Sequence, residues 1–290
     1  MELGVTASRM RAKDLTMPSR QIRVPRGTEQ TLLDRVRPYT ALGIENYVSH
    51  TTAALLHGMP LPYRWEQLKA IHLTRPAGTS VPRRRGVIGH KRDLAASETM
   101  MIDGVRVTTP ERTLLDLSTI LTLDELVAAA DFTICAHHRF FEPPKLPLVA
   151  AEKLASYVAG KQYLRGLKRA QAAMELMRVG ADSPKETQLR LMLHRSGLPE
   201  FTTNCEIHGK DGENPVYPDL GCERYKVCSE YEGGIHLTPE KQLADRNRDQ
   251  RTIERGWRQV KVYNKDMLQG HGWVLGMFRQ ALTAQGWSPQ

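Results

Sequence analysis

Four acidic residues in the C-terminal part of the chain, Glu186, Asp219, Glu230 and Glu232, have the types and spacing to hold a hard divalent cation. Glu230 follows Asp219 by eleven positions and alternates with Glu232 in the segment YKVCSEYEG. Period-two alternation puts Lys226, Cys228, Glu230 and Glu232 on one face of a strand, with Val227, Ser229 and Tyr231 on the other. A tight return through GCERY brings Asp219 beside Glu230. Glu186 ends the capping box SPKE, and its spacing to Leu189 and Leu193 places it on the inward face of the helix it opens. Like charges held together need a cation between them. A carboxylate cluster on rigid elements is how Mg²⁺ or Mn²⁺ is positioned for phosphodiester hydrolysis. His236 is recommended only by its proximity to this segment, and taken alone it reads as structural. Each acid also has a plainer use, as helix cap, turn residue or solvated strand face. Their combination argues for a site.

The elements that carry these residues follow from the local pattern. From Ser183 the order reads helix, strand, strand, strand, helix, strand, helix: a helix to Gly197, strands at TTNCEI, PVYPDL and YKVCSEYEG, and a polar helix from Thr238-Pro239 to Gly256. The strand RQVKVY and a helix with Trp273, Leu275 and Phe278 complete it. Upstream, SHTTAALLHG reads as a capped helix, and IHLTRP, VIGHK and GVRVTT read as short strands. Thr109-Pro110 opens a helix, and LDELVAAADF continues as another. FFEPPKLP breaks the pattern with three prolines, and helical periodicity resumes from Ala150 to about Val179, interrupted at Gly160 and Gly166. The expected organisation is therefore an α+β part over 1–139, a Pro-rich and helical connector over 140–179, and an α/β part over 180–290.

The 290 residues carry 41 Lys and Arg against 32 Asp and Glu, a net charge of +9 that suits a polyanionic partner. Two basic clusters sharpen the point. Arg83, Arg84 and Arg85 lie beside Pro82 and Gly86 and are expected on an exposed loop; Lys161, Arg165, Lys168 and Arg169 are expected on a helix. Both are candidates for contact with DNA phosphates. The four cysteines form no C-x-x-C pair and read as reduced thiols packed as small hydrophobes. No apolar run is long enough to span a bilayer, and the first residues lack an apolar leader segment, so the cytoplasm is the expected compartment.

Glu186, YPDL, EYEGGIH and GWRQVKV, in that order, resemble the PD-(D/E)XK nuclease superfamily, and within it the group related to very-short-patch repair endonucleases. The likeness runs over about 180–287. It implies a mixed four-stranded sheet flanked by helices, metal ligation by Asp219 and Glu230, support of the metal or its water by Glu186, and protonation of a leaving group or orientation of water by His236. Glu232 stands where the superfamily carries a lysine, which leaves Lys241, Lys261 and Arg246 as candidates for the missing positive charge. SHTTAALLHGMPL, IHLTRP and GVRVTTPERTLLDL are similar to actinobacterial proteins with an AbiEi-type, winged-helix-like antitoxin front half joined to such a nuclease. The resulting expectation is a Mg²⁺-dependent DNA endonuclease. Its rivals are a non-catalytic DNA-binding regulator or antitoxin on the same scaffold, and an RNA-acting toxin nuclease.

Overall fold

A computed structural model describes residues 6–43, 45–209, 213–233 and 239–289; His236 and the turn expected at GKDGEN fall wholly or partly outside the described residues. The chain divides into two compact units, Met1–Leu121 with Gly160–Ala170, and Thr122–Ala159 with Gln171–Gln290. This differs from three consecutive parts because the chain leaves the first unit and comes back to it. On its return, Arg169 Nη1 donates to the carbonyls of Ser118 and Leu121, each at 2.8 Å, and Lys161 Nζ lies 2.6 Å from Glu98 Oε1. Gly166, at φ +84°, leaves no room for a Cβ against Ser118.

The first unit runs α1 (Ala7–Met10), β1 (Leu15–Ser19), β2 (Ile22–Pro25), α2 (Leu32–Ala41), β3 (Tyr47–Val48), α3 (His50–Leu56), α4 (Tyr63–Glu66), β4 (Ile71–Arg75), β5 (Val87–Lys91), β6 (Thr99–Ile102), β7 (Val105–Thr108) and α5 (Pro110–Leu117). β1 and β2 form a hairpin, and the other five strands form a sheet in the order β5-β4-β3-β7-β6. The strands expected at IHLTRP, VIGHK and GVRVTT are β4, β5 and β7, and Thr109 caps α5 with Pro110 at its first position. β6 was not foreseen, although its turn Asp103-Gly104, with both φ positive, is a tight-hairpin signal. Val36, Val48, Leu73, Val105 and Val107 are fully buried in this unit's core.

The second unit holds α6 (Leu123–Ile134) and α7 (Ala151–Ala159); the division of the chain then falls within α8 (Leu167–Leu176). Next come α9 (Pro184–His194), β8 (Leu220–Cys222), β9 (Val227–Glu232), α10 (Pro239–Glu254), β10 (Arg258–Tyr263), α11 (Asn264–Leu268) and α12 (His271–Ala284). The α6 segment belongs here because Asp131 accepts hydrogen bonds from Arg190 (2.7 Å) and Thr187 (2.8 Å) of α9. Among the described residues the sheet is mixed but has three strands, β10-β9-β8, rather than the expected four. Among the described residues TTNCEI makes only the isolated bridges Thr202↔Gly221 and Ile207↔Val216, the latter to PVYPDL, whose last residue, Leu220, begins β8. Asn204 takes a left-handed φ of +53° and Pro218 has no amide hydrogen, so neither segment sustains a ladder. β8 pairs antiparallel with β9, and β10 runs parallel to β9 after the α10 crossover. Val227, Leu220, Val260 and Val262 pack with Leu189, Leu193, Val274 and Phe278 of α9 and α12. Cys228 packs on the other sheet face with Cys205, Ile207 and Val216.

Candidate active site

Asp219 sits at the entry to β8, one residue before Leu220, which pairs with Ser229. The register therefore sets Asp219 opposite Glu230. Asp219 Oδ2 accepts the backbone N–H of Tyr231 at 2.7 Å, which fixes the carboxylate along the strand pair. Glu230 is buried on β9, and Glu186 is buried at the first turn of α9. α9 packs on the sheet face opposite Glu230, yet its N-terminal end brings Glu186 into electrostatic contact with Asp219. Glu186 does serve its capping box: its N–H donates to Ser183 Oγ at 3.2 Å, and its Oε2 accepts the Asp182 N–H at 2.8 Å. Cap and cluster roles coexist.

All three carboxyls are pushed toward their protonated forms. Burial, then repulsion from Asp219, raises Glu186 to about 7. Burial raises Asp219 to about 6 against the pull of the Tyr231 N–H, and Glu230 adds to the rise. Burial also raises Glu230, opposed by Arg248 and Lys261. Burial of acidic groups beside one another is the common cause, and it favours any cation that can enter the site.

Two cations already meet the cluster. Arg248, on α10, donates to Glu230 Oε2, while Glu230 Oε1 is buried with no hydrogen-bond partner. Lys261 lies directly across the parallel β9–β10 pair from Glu230. Its Nζ is 2.6 Å from Asp249 Oδ2 and 3.7 Å from Glu232 Oε1. Of the three candidates for the missing positive charge, Lys261 stands at the site; Arg246 is exposed and the Lys241 side chain lies outside the described residues. Arg248 and Asp249 were missed. Their signal was the stripe Asp245, Arg248, Asp249, Thr252, spaced to share one face of α10.

A basic cluster borders the acids. Asp182 accepts from Lys145 Nζ at 2.6 Å, Arg139 Nη2 at 2.9 Å and His137 Nε2 at 3.1 Å. Burial works to raise Asp182, but the Lys145 hydrogen bond and the Arg139 charge hold it down to about 2. Arg139 also lowers Asp219. Beside it, half-exposed Phe140 and Phe141 meet edge to face at 5.3 Å between ring centres, and Tyr217 lies 5.9 Å from Phe141. The proline count of FFEPPKLP masked this group, since the stretch read only as a connection.

The surface arginines and lysines fall into two sets. Arg83 and Arg85 are exposed on a loop, whereas Arg84 donates to the Arg20 carbonyl at 2.7 Å. Residues 161–166 are not helical, contrary to expectation; Gly166 and Tyr163, both at positive φ, start the helix only at Leu167. Lys161 and Arg169 hold Glu98 and the α5 end, and Arg165 and Lys168 remain exposed. The four cysteines are free and buried, and burial pushes Cys205 up to about 12.

The fold and site define a mixed α/β protein with a buried acidic cluster in its second unit. Residues 46–142 match the AbiEi antitoxin C-terminal domain. Two proteins of Mycobacterium tuberculosis, one from strain CDC 1551 / Oshkosh and one from strain H37Rv, both described as uncharacterized, are 25% identical to this chain over 226 residues. The alignment covers 76% of this chain and 75% of each relative. No solved structure matches. Among the described residues no helix is long and apolar enough to cross a membrane.

Proposed function

We propose that this chain is a DNA-binding regulator of the antitoxin kind that also carries a divalent-metal phosphodiesterase site. The AbiEi match supports the regulatory half directly. The catalytic half rests on one observation: Asp219 and Glu230 lie opposite each other across the β8–β9 return, with Glu186 near enough to feel the Asp219 charge. The resemblance of their order to the PD-(D/E)XK nucleases adds to it. The donor set fits Mg²⁺ or Mn²⁺, being all oxygen and including the buried, unpartnered Glu230 Oε1. Asp219 and Glu230 would hold the ion with Glu186 alongside. Such an ion supplies polarisation of a phosphoryl oxygen and a more acidic water. Lys261, set across from Glu230, offsets negative charge that develops on the phosphate. Arg139 and Lys145 line the approach for flanking phosphates, and Phe140, Phe141 and Tyr217 offer faces for base stacking.

A second reading, regulation without cleavage, has its own support. The family match bears on it more directly than on catalysis, and Arg248 already occupies Glu230 Oε2. Purified full-length protein with Mg²⁺ or Mn²⁺ and plasmid DNA separates the two. Cleavage that is lost in both Asp219→Asn and Glu230→Gln, with DNA binding retained, supports the enzyme. Binding without cleavage by the wild type leaves the regulator. Cleavage confined to RNA in a parallel panel moves the substrate class.

A further inference from the structure

The first unit gathers three histidines that the acidic site does not use. His72 on β4 and His90 on β5 lie two register positions apart in a parallel pair, since Thr74 faces His90, so both side chains take the same sheet face. His50 opens α3, and that helix start is tied to β4 twice. The Ser49 N–H donates to the His72 carbonyl at 3.1 Å, and the His72 N–H donates to Thr52 Oγ1 at 2.9 Å. One ligand-capable atom from each histidine lies within 4.8 Å of the other two. We propose that His50, His72 and His90 form a transition-metal site, with the Asp116 carboxylate as its fourth group and Zn²⁺ the cation it fits.

Two unpartnered atoms and the chemistry of the donor set carry this. His72 Nε2 is buried and has no hydrogen-bond partner. Asp116 Oδ2 is likewise buried and unpartnered, 3.9 Å from His50 Nδ1. Imidazole nitrogens with one carboxylate are the donor set for a borderline cation such as zinc.

The site needs two movements: Asp116, which lies beside His50 but outside the three-histidine group, must close on it, and His90 must turn. His90 stacks on His50 with ring centres 3.6 Å apart and shares a 2.9 Å hydrogen bond between its Nε2 and His72 Nδ1. Parallel stacked rings cannot both aim in-plane lone pairs at one ion, so His90 must turn off the stack. It can: it is half-buried on β5, the edge strand of the sheet. Arg92 sets an opposing charge near His50 and His90, whereas the Arg112 charge is matched by Asp116 and Glu98.

The test uses untagged full-length protein carrying Asp219→Asn and Glu230→Gln, so that the acidic cluster contributes no site of its own. Chelator-stripped protein is titrated with Co²⁺ and, separately, Zn²⁺. One equivalent of Co²⁺ with the strong visible bands of a four-coordinate site is expected, and Zn²⁺ should displace it. His72→Gln and His90→Gln should each abolish the bands, and Asp116→Asn should weaken binding by about 10–100-fold. His90→Gln, at the more exposed position, carries the test if His72→Gln does not fold. Absence of Co²⁺ binding at micromolar concentration, or bands unchanged in His90→Gln, overturns the proposal and leaves the three rings as packing.

Discussion

Asp219→Asn should make the metal-free protein more stable at neutral and alkaline pH while ending its response to Mg²⁺. Asp219 is raised from 3.8 to about 6, chiefly by burial. One pKa unit corresponds to 1.36 kcal/mol, so keeping this group ionised in the fold costs on the order of 3 kcal/mol, discounted to about 2 because part of the side chain meets solvent. The amide removes the charge and keeps an oxygen for the Tyr231 N–H. Because the folded pKa is raised, the folded state binds the proton more tightly than the unfolded chain. Stability is then fullest below the unfolded value near 4 and is lost as pH rises through about 6 for Asp219 and about 7 for Glu186. Wild type should therefore lose stability between about pH 4.5 and pH 8, and Asp219→Asn should lose less. At pH 8 the variant's second unit should melt higher by about 4–8 °C, from roughly 2–4 °C per kcal/mol for a unit of this size. Metal at a hundred times its Kd should add about 2.7 kcal/mol to wild type and little to the variant. Calorimetry in chelator and in Mg²⁺ reads all four states. A variant that melts below wild type at pH 8, with an equal metal shift, would refute the charge-crowding argument and make Asp219 a structural residue.

Three further outcomes follow from the same geometry. Lys261→Met should lower single-turnover cleavage by about 100-fold with DNA affinity little changed, since Lys261 faces Glu230; a rate within twofold of wild type removes it from the site. Arg190→Ala strands the buried Asp131 charge and should cost about 3–5 kcal/mol in denaturant unfolding, whereas a loss below 1 kcal/mol would mean that Asp131 is protonated in the fold. Replacing both Arg83 and Arg85 with Ala should reduce the log–log salt slope of duplex binding by about 1.8, while Arg84→Ala, whose guanidinium is spent on the Arg20 carbonyl, should leave it unchanged.

Much of this molecule could be read from the chain without coordinates, wherever the controlling interactions are local. Thr109-Pro110 and Ser183-Pro184 announce α5 and α9 because caps act within one helical turn. Alternation in VIGHK and RQVKVY marks β5 and β10 because side chains take opposite faces at every step. The adjacency of Asp219 and Glu230 followed from one short antiparallel return, which is again local. What spacing could not supply was decided by contacts distant in sequence. Arg248 reaches Glu230 only because α10 packs back on the sheet, and Lys261 does so only because β10 joins β9 in parallel after that helix. The return of Gly160–Ala170 to the first unit turns on carbonyls at the end of α5, far upstream. His50, His72 and His90 lie on three elements with no common period; they meet because β4 and β5 pair and α3 is bonded to β4, a juxtaposition that only the tertiary fold creates.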